Sequence, residues 1–375
     1  MRPTRRRPGA DSVASRRDSD PGRIAFRAMT TLTRARLHSQ LLSGDRATRP
    51  VDVAARLLAI QGQDPRGARL AIRVRSTGLT AADVDRALTV ERSLVITWLN
   101  RGTLHLVRSE DYPWLHALTA GRQATWNSRR LGQLGVSPDE ADRAIATIER
   151  ALEADGPSTR DQLRERIAAT GVTTDAQAWV HILSRASIRG LIVRGPMIGR
   201  DHAFVLVRDW LGSAAANATA AFDRDRALAE LARRYLAGHG PATDVDLAAW
   251  AGLPLGEARR GLRAIGGEIE ESDGGLLDLS GRAAVPELPP PMLLGPFDPL
   301  LHGWKSREFV VGDHAGVITS NGIFRPFALV HGHVVATWRF AGGRVSIDRL
   351  ESIPPESEKA LEAEARAVAR YFGRS

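Results

Sequence analysis

Cysteine is absent from this 375-residue chain, and lysine occurs only at Lys305 and Lys359. The absence of cysteine excludes disulfide bonds, thiolate-ligated zinc and thiol nucleophiles, and it suits a reducing cytoplasm. Aromatic residues make up only 5% of the chain, and none lies between Gln61 and Ile96. No apolar run approaches the roughly 18 residues that a membrane span needs. We therefore expect a cytoplasmic protein without a membrane segment.

Positive charge is what the chain has in excess, with a net charge of +9 and a pI near 10.9. Residues 1–27 hold eight arginines against three aspartates, so they carry +5 of this total. The excess indicates an anionic partner, and nucleic acid fits it. Residues 1–28 have the composition of a disordered arginine-rich tail, and Met29 is an alternative start. Such a tail is either simply solvated or a source of nonspecific DNA affinity.

Two glutamines two residues apart stand at a predicted corner of the chain. The apolar positions of residues 51–60 recur at helical spacing and lead into Gln61, after which Gly62 interrupts the pattern. Asp64 and the proline that follows it read as the N-cap and first position of a new helix, from 66 to about 75. The sequence thus predicts a helix–kink–helix corner that carries Gln61 and Gln63.

Helices followed by a hairpin recur along the chain. Strand-like runs at 94–99 and 103–107 are joined by Asn-Arg-Gly, which predicts a tight hairpin like the wing of a winged helix. The same order follows residues 156–159 and 240–243, where Gly-Pro-Ser-Thr and Gly-Pro-Ala-Thr predict a turn and a helix N-cap. We therefore predict repeated helix-turn-helix units, each with its own wing.

The predicted fold is α+β, with three tandem winged helix-turn-helix units and a small C-terminal β domain. In that domain we expect strands at 309–311, 316–318, 327–330, 333–338 and 344–347, and a final helix at 357–372. The predicted domains are a disordered tail at 1–28, the first unit with the glutamine corner at 29–130, the second unit at 131–212, the third at 213–287, and the β domain with the terminal helix at 288–375.

Three segments carry a resemblance to a known family: 61–66, 101–107 and 294–301. Their order and spacing resemble the AlkZ-like winged-helix DNA glycosylases, with their AlkZ and YcaQ branches, from about residue 31 to the end. The family usually has an apolar side chain between the two glutamines, where this chain has Gly62. The resemblance implies that Gln61 and Gln63 are catalytic. It also implies a monomer that acts, in the nucleoid, on double-stranded DNA carrying alkylated bases.

Amide side chains suit a narrow part of glycosylase chemistry. Glutamine is no strong base, but its carbonyl oxygen can hold a water and stabilise a cationic sugar. That suffices when the leaving base is already cationic, as an N7-alkylated purine is. We therefore expect excision of N-alkylated purines, and the family resemblance implies that bulky or interstrand-crosslinked ones are among them. The alternative is that both amides only cap backbone groups, in a non-catalytic winged-helix DNA-binding regulator.

The predicted enzyme is monofunctional and leaves an abasic site. A glycosylase-lyase needs an amine nucleophile, and both lysines are distant from the glutamines in sequence. The ten histidines show no metal-ligand spacing, so we expect neither a metal nor another cofactor. With no aromatic residue near the corner, we expect no stacking platform for an extruded base and predict access from the DNA groove.

Further candidate residues each have two interpretations. Asp64 is expected to cap its helix, and a general base is the alternative because the YcaQ branch has an acid at the second motif position. Asp298 is expected to organise a turn, and a role at the site is the alternative. Arg66 and Arg69 either face DNA or pair with acids. His105 is either structural or in contact with DNA or water. The residues expected to bind DNA are Arg66, Arg69, Arg101, Thr103 and His105.

Overall fold

The computed structural model describes residues 21–172, 175–216, 222–272 and 274–373. Most of the predicted tail lies outside these ranges. Helix α1 (Pro21–Ser39) includes its last part, so the prediction of disorder is wrong for residues 21–28. Residues 24–28 contain neither glycine nor proline, and nothing in them stops a helix from extending towards the N-terminus.

The first unit contains the predicted hairpin. Its strands are antiparallel, with Leu99 opposite Thr103, and the turn between them is a single 3-10 turn at Asn100–Gly102. The helix before the hairpin starts with a capping box between Thr80 and Asp83, as its sequence indicates. The elements are α2 (Pro50–Leu57), β1 (Ile60–Gln61), α3 (Pro65–Arg73), α4 (Ala81–Thr89), β2 (Leu94–Leu99) and β3 (Thr103–Arg108).

The second unit shares a sheet with the first. Ile96 of the first hairpin pairs with Arg194 of the second, which gives one antiparallel sheet in the order β1-β3-β2-β4-β5. Because the free edge of one hairpin is satisfied by the other, these two wings do not stand apart. The elements are α5 (Tyr112–Gln133), α6 (Pro138–Asp155), α7 (Arg160–Ala168), α8 (Ala176–Ile188), β4 (Ile192–Ile198), β5 (Asp201–Leu206), α9 (Val207–Trp210) and α10 (Ser213–Ala216).

The third unit keeps its own two-stranded wing and packs on the first unit. Thr159 of the second unit and Thr243 here both cap their helices in capping boxes, as predicted. Gly238 lies so close to helix α2 that a Cβ atom there would clash with the carbonyl oxygen of Arg56. The elements are α11 (Arg224–His239), α12 (Asp244–Ala251), α13 (Leu255–Ala264), β6 (Ile269–Ser272) and β7 (Leu276–Leu279).

The C-terminal domain is a four-stranded antiparallel sheet, in the order β11-β10-β9-β8, closed by a long helix. The predicted strands at 309–311 and 316–318 are wrong, because Glu308–Val311 is an α-helix and Ala315–Val317 a 3-10 turn, with only an isolated β-bridge at Ile318. Phe309 packs edge-on against Trp304, with ring centroids 5.1 Å apart, so burial overrides the β propensity of the segment. The elements are β8 (Met292–Leu294), α14 (Glu308–Val311), β9 (Phe327–Val330), β10 (His333–Ala341), β11 (Arg344–Arg349) and α15 (Pro355–Gly373).

The C-terminal domain docks on helix α3 through very close backbone contacts. A Cβ atom at Gly67 would clash with the carbonyl oxygen of Pro296, and one at Gly295 would lie 2.8 Å from the Cβ of Leu70. Side chains larger than hydrogen would separate the two segments. The glycines therefore bring the 294–301 segment next to the glutamines.

The α+β class is confirmed, whereas the count of three winged-helix units stays a prediction. Among the described residues, no helix combines the length and the apolar character of a membrane span.

Candidate active site

Gln61 lies on a strand, so the predicted helix–kink–helix corner is wrong at this point. Helix α2 ends at Leu57, Leu58 takes a left-handed conformation (φ 63°), and Gln61 then pairs with His105 of the hairpin. Gly62 continues this pairing by donating its N–H to the carbonyl of Leu104 at 2.8 Å. The wing hairpin thus holds the Gln-x-Gln backbone, which a sequence pattern confined to residues 51–66 does not reveal.

Hydrogen bonds connect the two amides to the wing. The Nε2 of Gln61 donates to the Oε1 of Gln63 at 2.9 Å, and the hydroxyl of Thr103 donates to the Oε1 of Gln61 at 3.3 Å. The same hydroxyl lies 3.2 Å from the carbonyl oxygen of Asn100. Gln61 is only 6% exposed, while Gln63 is exposed. Each amide oxygen keeps a second lone pair for a further donor such as water.

Gly62 is tightly packed where the family usually has an apolar side chain. A Cβ atom there would lie 3.3 Å from both the Cγ2 of Ile96 and the backbone nitrogen of Leu106. A side chain at this position would therefore require the neighbouring strands to shift by a few tenths of an ångström.

A cleft of about 420 Å³ opens above the glutamines and is completed by distant parts of the chain. Gln61, Gln63, Arg101 and Thr103 come from the first unit, and the remaining lining residues come from the third unit and the C-terminal domain. Sequence reasoning did not identify these remaining residues as part of the site. They are Ala249, Trp250, Phe297, His302, Trp304, Lys305, Arg307, Gly322 and Phe324.

The cleft contains aromatic rings, so the reason for expecting no stacking platform near the glutamines does not hold. The rings of His302 and Phe324 have centroids 4.0 Å apart, and those of Phe297 and His302 lie 6.2 Å apart and nearly parallel. Phe297 holds a left-handed backbone conformation (φ 56°), which is uncommon for a residue with a bulky side chain. These rings were invisible in the local sequence because more than 230 positions separate them from Gln61.

The cleft is cationic. Arg101, Lys305 and Arg307 line it, and none of its described lining residues is acidic. Arg101 donates to the carbonyl oxygen of Trp250 at 3.1 Å, which ties the wing to helix α12. Lys305 lies in the same cleft as the glutamines, so its distance in sequence does not argue against a lyase reaction.

Two histidines near the cleft stay neutral. His105 is buried, and its Nδ1–H donates to the carbonyl of Thr103 at 2.9 Å. Burial, with a contribution from Arg101, lowers the pKa of His105 to about 3. Burial also lowers the pKa of His302 well below its ordinary value, and Arg101 and Arg307 act in the same direction. His105 thus supports the wing from beneath and does not line the cleft.

The predicted arginines divide between packing and surface. Arg69 is 6% exposed, forms an ion pair with Asp85, and donates to the carbonyl of Pro65 at 2.8 Å. This placement corrects the expectation that Arg69 contacts DNA and favours its pairing with an acid. Arg66 is exposed, has no ion-pair partner among the described residues, and lies beside Arg69 in a separate surface cavity.

Both motif aspartates have structural contacts. Asp64 caps helix α3, with its Oδ1 accepting from the N–H of Gly67 at 2.8 Å, and it does not line the cleft. Asp298 is fully buried, accepts from the N–H of Leu300 at 2.9 Å, and pairs with both terminal nitrogens of Arg75 at 2.7 and 2.9 Å. The expected capping and turn roles are therefore confirmed.

A larger cavity, of about 490 Å³, lies near the end of helix α3 and contains none of the motif glutamines. Arg46, Arg73 and Arg370 line it together with Glu364, and Arg73 pairs with Glu364 at 3.1 Å. The candidate cleft is therefore chosen by its paired amides and not by its size.

Comparison with known proteins gives consistent matches along the chain. The family described as "DNA glycosylase AlkZ-like" matches residues 54–371. A protein of Streptomyces sahachiroi named "Interstrand DNA cross-link repair glycosylase" is 27% identical over 363 residues, which is 90% of this chain and 95% of the relative. The solved structure of Streptomyces sahachiroi DNA glycosylase AlkZ superimposes with a TM-score of 0.73 at 25% identity, covering 92% of this chain and 96% of the other.

Proposed function

This chain belongs to the family of AlkZ-like DNA glycosylases, and from that premise we propose that it excises N-alkylated purines by hydrolysis of the N-glycosidic bond. The observation that carries the proposal is the hydrogen-bonded pair Gln61 and Gln63 in a cationic cleft whose described lining lacks carboxylates. Without a strong base, such a cleft suits substrates whose base already departs as a good leaving group.

In the proposed mechanism, the amides position a water and stabilise the cationic sugar. The free lone pair of the Gln63 carbonyl accepts from the attacking water, and Gln63 is exposed enough to reach it. Gln61 holds the orientation of Gln63 and is itself held by Thr103. A carbonyl oxygen fixed before the reaction stabilises developing positive charge without reorganising.

The cations of the cleft are proposed to bind the phosphates around the lesion. Arg101, Lys305 and Arg307 line the same cleft as the amides, and contacts from such cations to phosphates place the duplex without reading its sequence.

The name of the Streptomyces relative extends the proposed substrates to interstrand crosslinks. Action on DNA implies a location in the nucleoid. The division into three winged-helix units is part of the same proposal and is supported by the capped helices and hairpins.

The enzyme is proposed to be monofunctional. Lysines that form Schiff bases are commonly desolvated or placed beside another cation. Lys305 has cationic neighbours, yet it is exposed at the cleft surface. We infer that water held by the amides, and not this amine, is the nucleophile.

The direct test is release of 7-methylguanine from alkylated DNA by the purified protein. Gln61→Ala and Gln63→Ala are each expected to slow excision at least tenfold, a loss of about 1.4 kcal/mol, with nearly unchanged DNA affinity. Gln133→Ala, at an exposed position on helix α5, is the matched control. DNA binding without base release by the wild type would instead support a non-catalytic regulator.

A further inference from the structure

A second cavity, of about 200 Å³, adjoins the catalytic cleft at the tip of the wing. Arg101 lines both cavities, so a substrate bound in one lies close to the other. The second cavity is mainly enclosed by helix α5, the wing turn and the end of helix α12. Its side chains include Arg101, Thr119, Arg122, Gln123 and Trp126.

Trp126 is the most unusual of these residues. It is 55% exposed, and no other phenylalanine, tyrosine or tryptophan among the described residues is exposed. His181 contacts its ring edge-on at a centroid distance of 5.5 Å. An exposed tryptophan costs solvation free energy, and an indole ring held at a cavity is a suitable surface on which a planar ring can stack.

The charges around Trp126 favour nucleic acid. Arg122 is exposed and has no ion-pair partner in the described part of the chain, and none of the described lining residues is acidic. Arg101 is anchored to the carbonyl oxygens of Ala249 and Trp250, which leaves its charge uncompensated by a carboxylate. Aromatic faces alternating with arginines are the usual means of holding unstacked bases beside a phosphate backbone.

One polar group in the cavity wall has no partner. Gln123 is 7% exposed, and its Oε1 makes no hydrogen bond to the described residues. An amide left this way inside a wall is costly unless a ligand or a small side-chain adjustment satisfies it. As the side chain stands this oxygen is closed off from the cavity, and it reaches a ring stacked on Trp126 only after the Gln123 side chain rotates.

Two glycines keep the cavity open. Gly102 (φ 71°) and Gly252 (φ 67°) both have left-handed backbones, and both line it. A Cβ atom at Gly252 would lie 3.0 Å from the backbone nitrogen of Arg101. The absence of side chains here lets the wing tip approach helix α12 and leaves space beside Trp126.

We propose that this cavity binds a planar aromatic ring of damaged DNA, stacked on Trp126, while the lesion's sugar lies at Gln61 and Gln63. The proposal rests on the proposed glycosylase function. The ring has two possible sources, the aromatic part of a bulky adduct or a nucleobase displaced from the duplex next to the lesion.

The experiment compares excision of 7-methylguanine with excision of an N7-guanine adduct that carries a polycyclic aromatic group. Trp126→Ala is expected to slow excision of the aromatic adduct about tenfold, and Trp126→Phe to restore most of it, because stacking needs a ring. If the adduct supplies the ring, 7-methylguanine release stays unchanged. If a displaced base supplies it, both substrates slow equally.

Arg122→Ala is the second variant, and Arg129→Ala is its matched control. Both arginines are exposed on helix α5 and both substitutions remove one charge, but only Arg122 lines the cavity. Arg122→Ala is expected to slow excision more than Arg129→Ala at equal salt. Unchanged excision of both substrates by Trp126→Ala, with an active wild type, would overturn the proposal.

Acrylamide quenching of tryptophan fluorescence gives a readout that does not need catalysis. In the wild type, lesion-containing DNA is expected to lower the fraction of tryptophan fluorescence that acrylamide can quench. In Trp126→Phe the same DNA is expected to change this fraction little. An inactive wild type with protected Trp126 would refute the glycosylase function and keep the ring-binding cavity. Full accessibility of Trp126 in the complex would refute the cavity whatever the activity.

Discussion

Replacing Asp298 by asparagine is expected to destabilise the protein strongly while leaving its chemistry nearly intact. Asp298 and Arg75 are both completely buried, and their two contacts at 2.7 and 2.9 Å form a bidentate pair. The other donors of Arg75 go to the carbonyls of Gln40 and Ala71 and to the side chain of Gln40. Every N–H of the guanidinium is therefore satisfied, and the pair joins the segment just after helix α3 to the segment that carries Phe297.

The asparagine keeps the shape of the side chain but not its charge. Its carbonyl can still accept from Leu300 and from one terminal nitrogen of Arg75, whereas its NH2 group faces the N–H of the other terminal nitrogen. Removing one partner of a buried ion pair costs about 3–5 kcal/mol, since the other charge stays buried without compensation. This is a large fraction of the roughly 5–15 kcal/mol by which proteins of ordinary stability are folded.

Urea denaturation followed by circular dichroism measures the loss, and excision is measured at a temperature where the variant stays folded. Turnover of the folded protein is expected to lie within about threefold of the wild type, because Asp298 does not line the cleft that contains Gln61 and Gln63. Adding Arg75→Met is expected to recover part of the stability by removing the unpaired cation. Unchanged stability with a hundredfold loss of turnover would show that Asp298 acts in catalysis and that this reasoning is wrong.

The remaining predictions concern acid stability, domain docking and the nucleophile. Burial lowers the pKa of His105, His202 and His239 to about 3. Below pH 6.5 the unfolded chain therefore binds more protons than the folded one, so the stability is full above that pH and falls below it, by about 2 kcal/mol per histidine at pH 5. Thermal melting curves measured as a function of pH test this. Gly67→Ala is expected to cost about 1–3 kcal/mol by pushing against Pro296, while Gly121→Ala, which meets open space, is expected to cost nothing in the same denaturation assay. Borohydride is expected to trap no covalent DNA complex; a complex that disappears in Lys305→Arg would identify that lysine as a nucleophile.

Local patterns in the sequence determined the elements whose stabilising contacts are near in the chain. The 94–99 and 103–107 runs form the predicted hairpin because alternation and a tight turn act within about fifteen residues. Asp64, Thr159 and Thr243 cap their helices because a capping side chain reaches only the next turn. The Gln-x-Gln motif itself was also visible, since it occupies three consecutive positions.

Tertiary structure decided how those elements combine, because the deciding contacts join distant residues. Pairing with the wing makes Gln61 part of a strand, and the close approach at Gly67 brings Lys305 and the rings of the C-terminal domain into the same cleft. The sequence left Arg69 between contact with DNA and pairing with an acid, and the fold placed Asp85 beside it. Residues 309–311 have the composition of a strand, yet packing against Trp304 stabilises them as a helix. In each case the free energy of a contact made only after folding outweighs the preference of the local sequence.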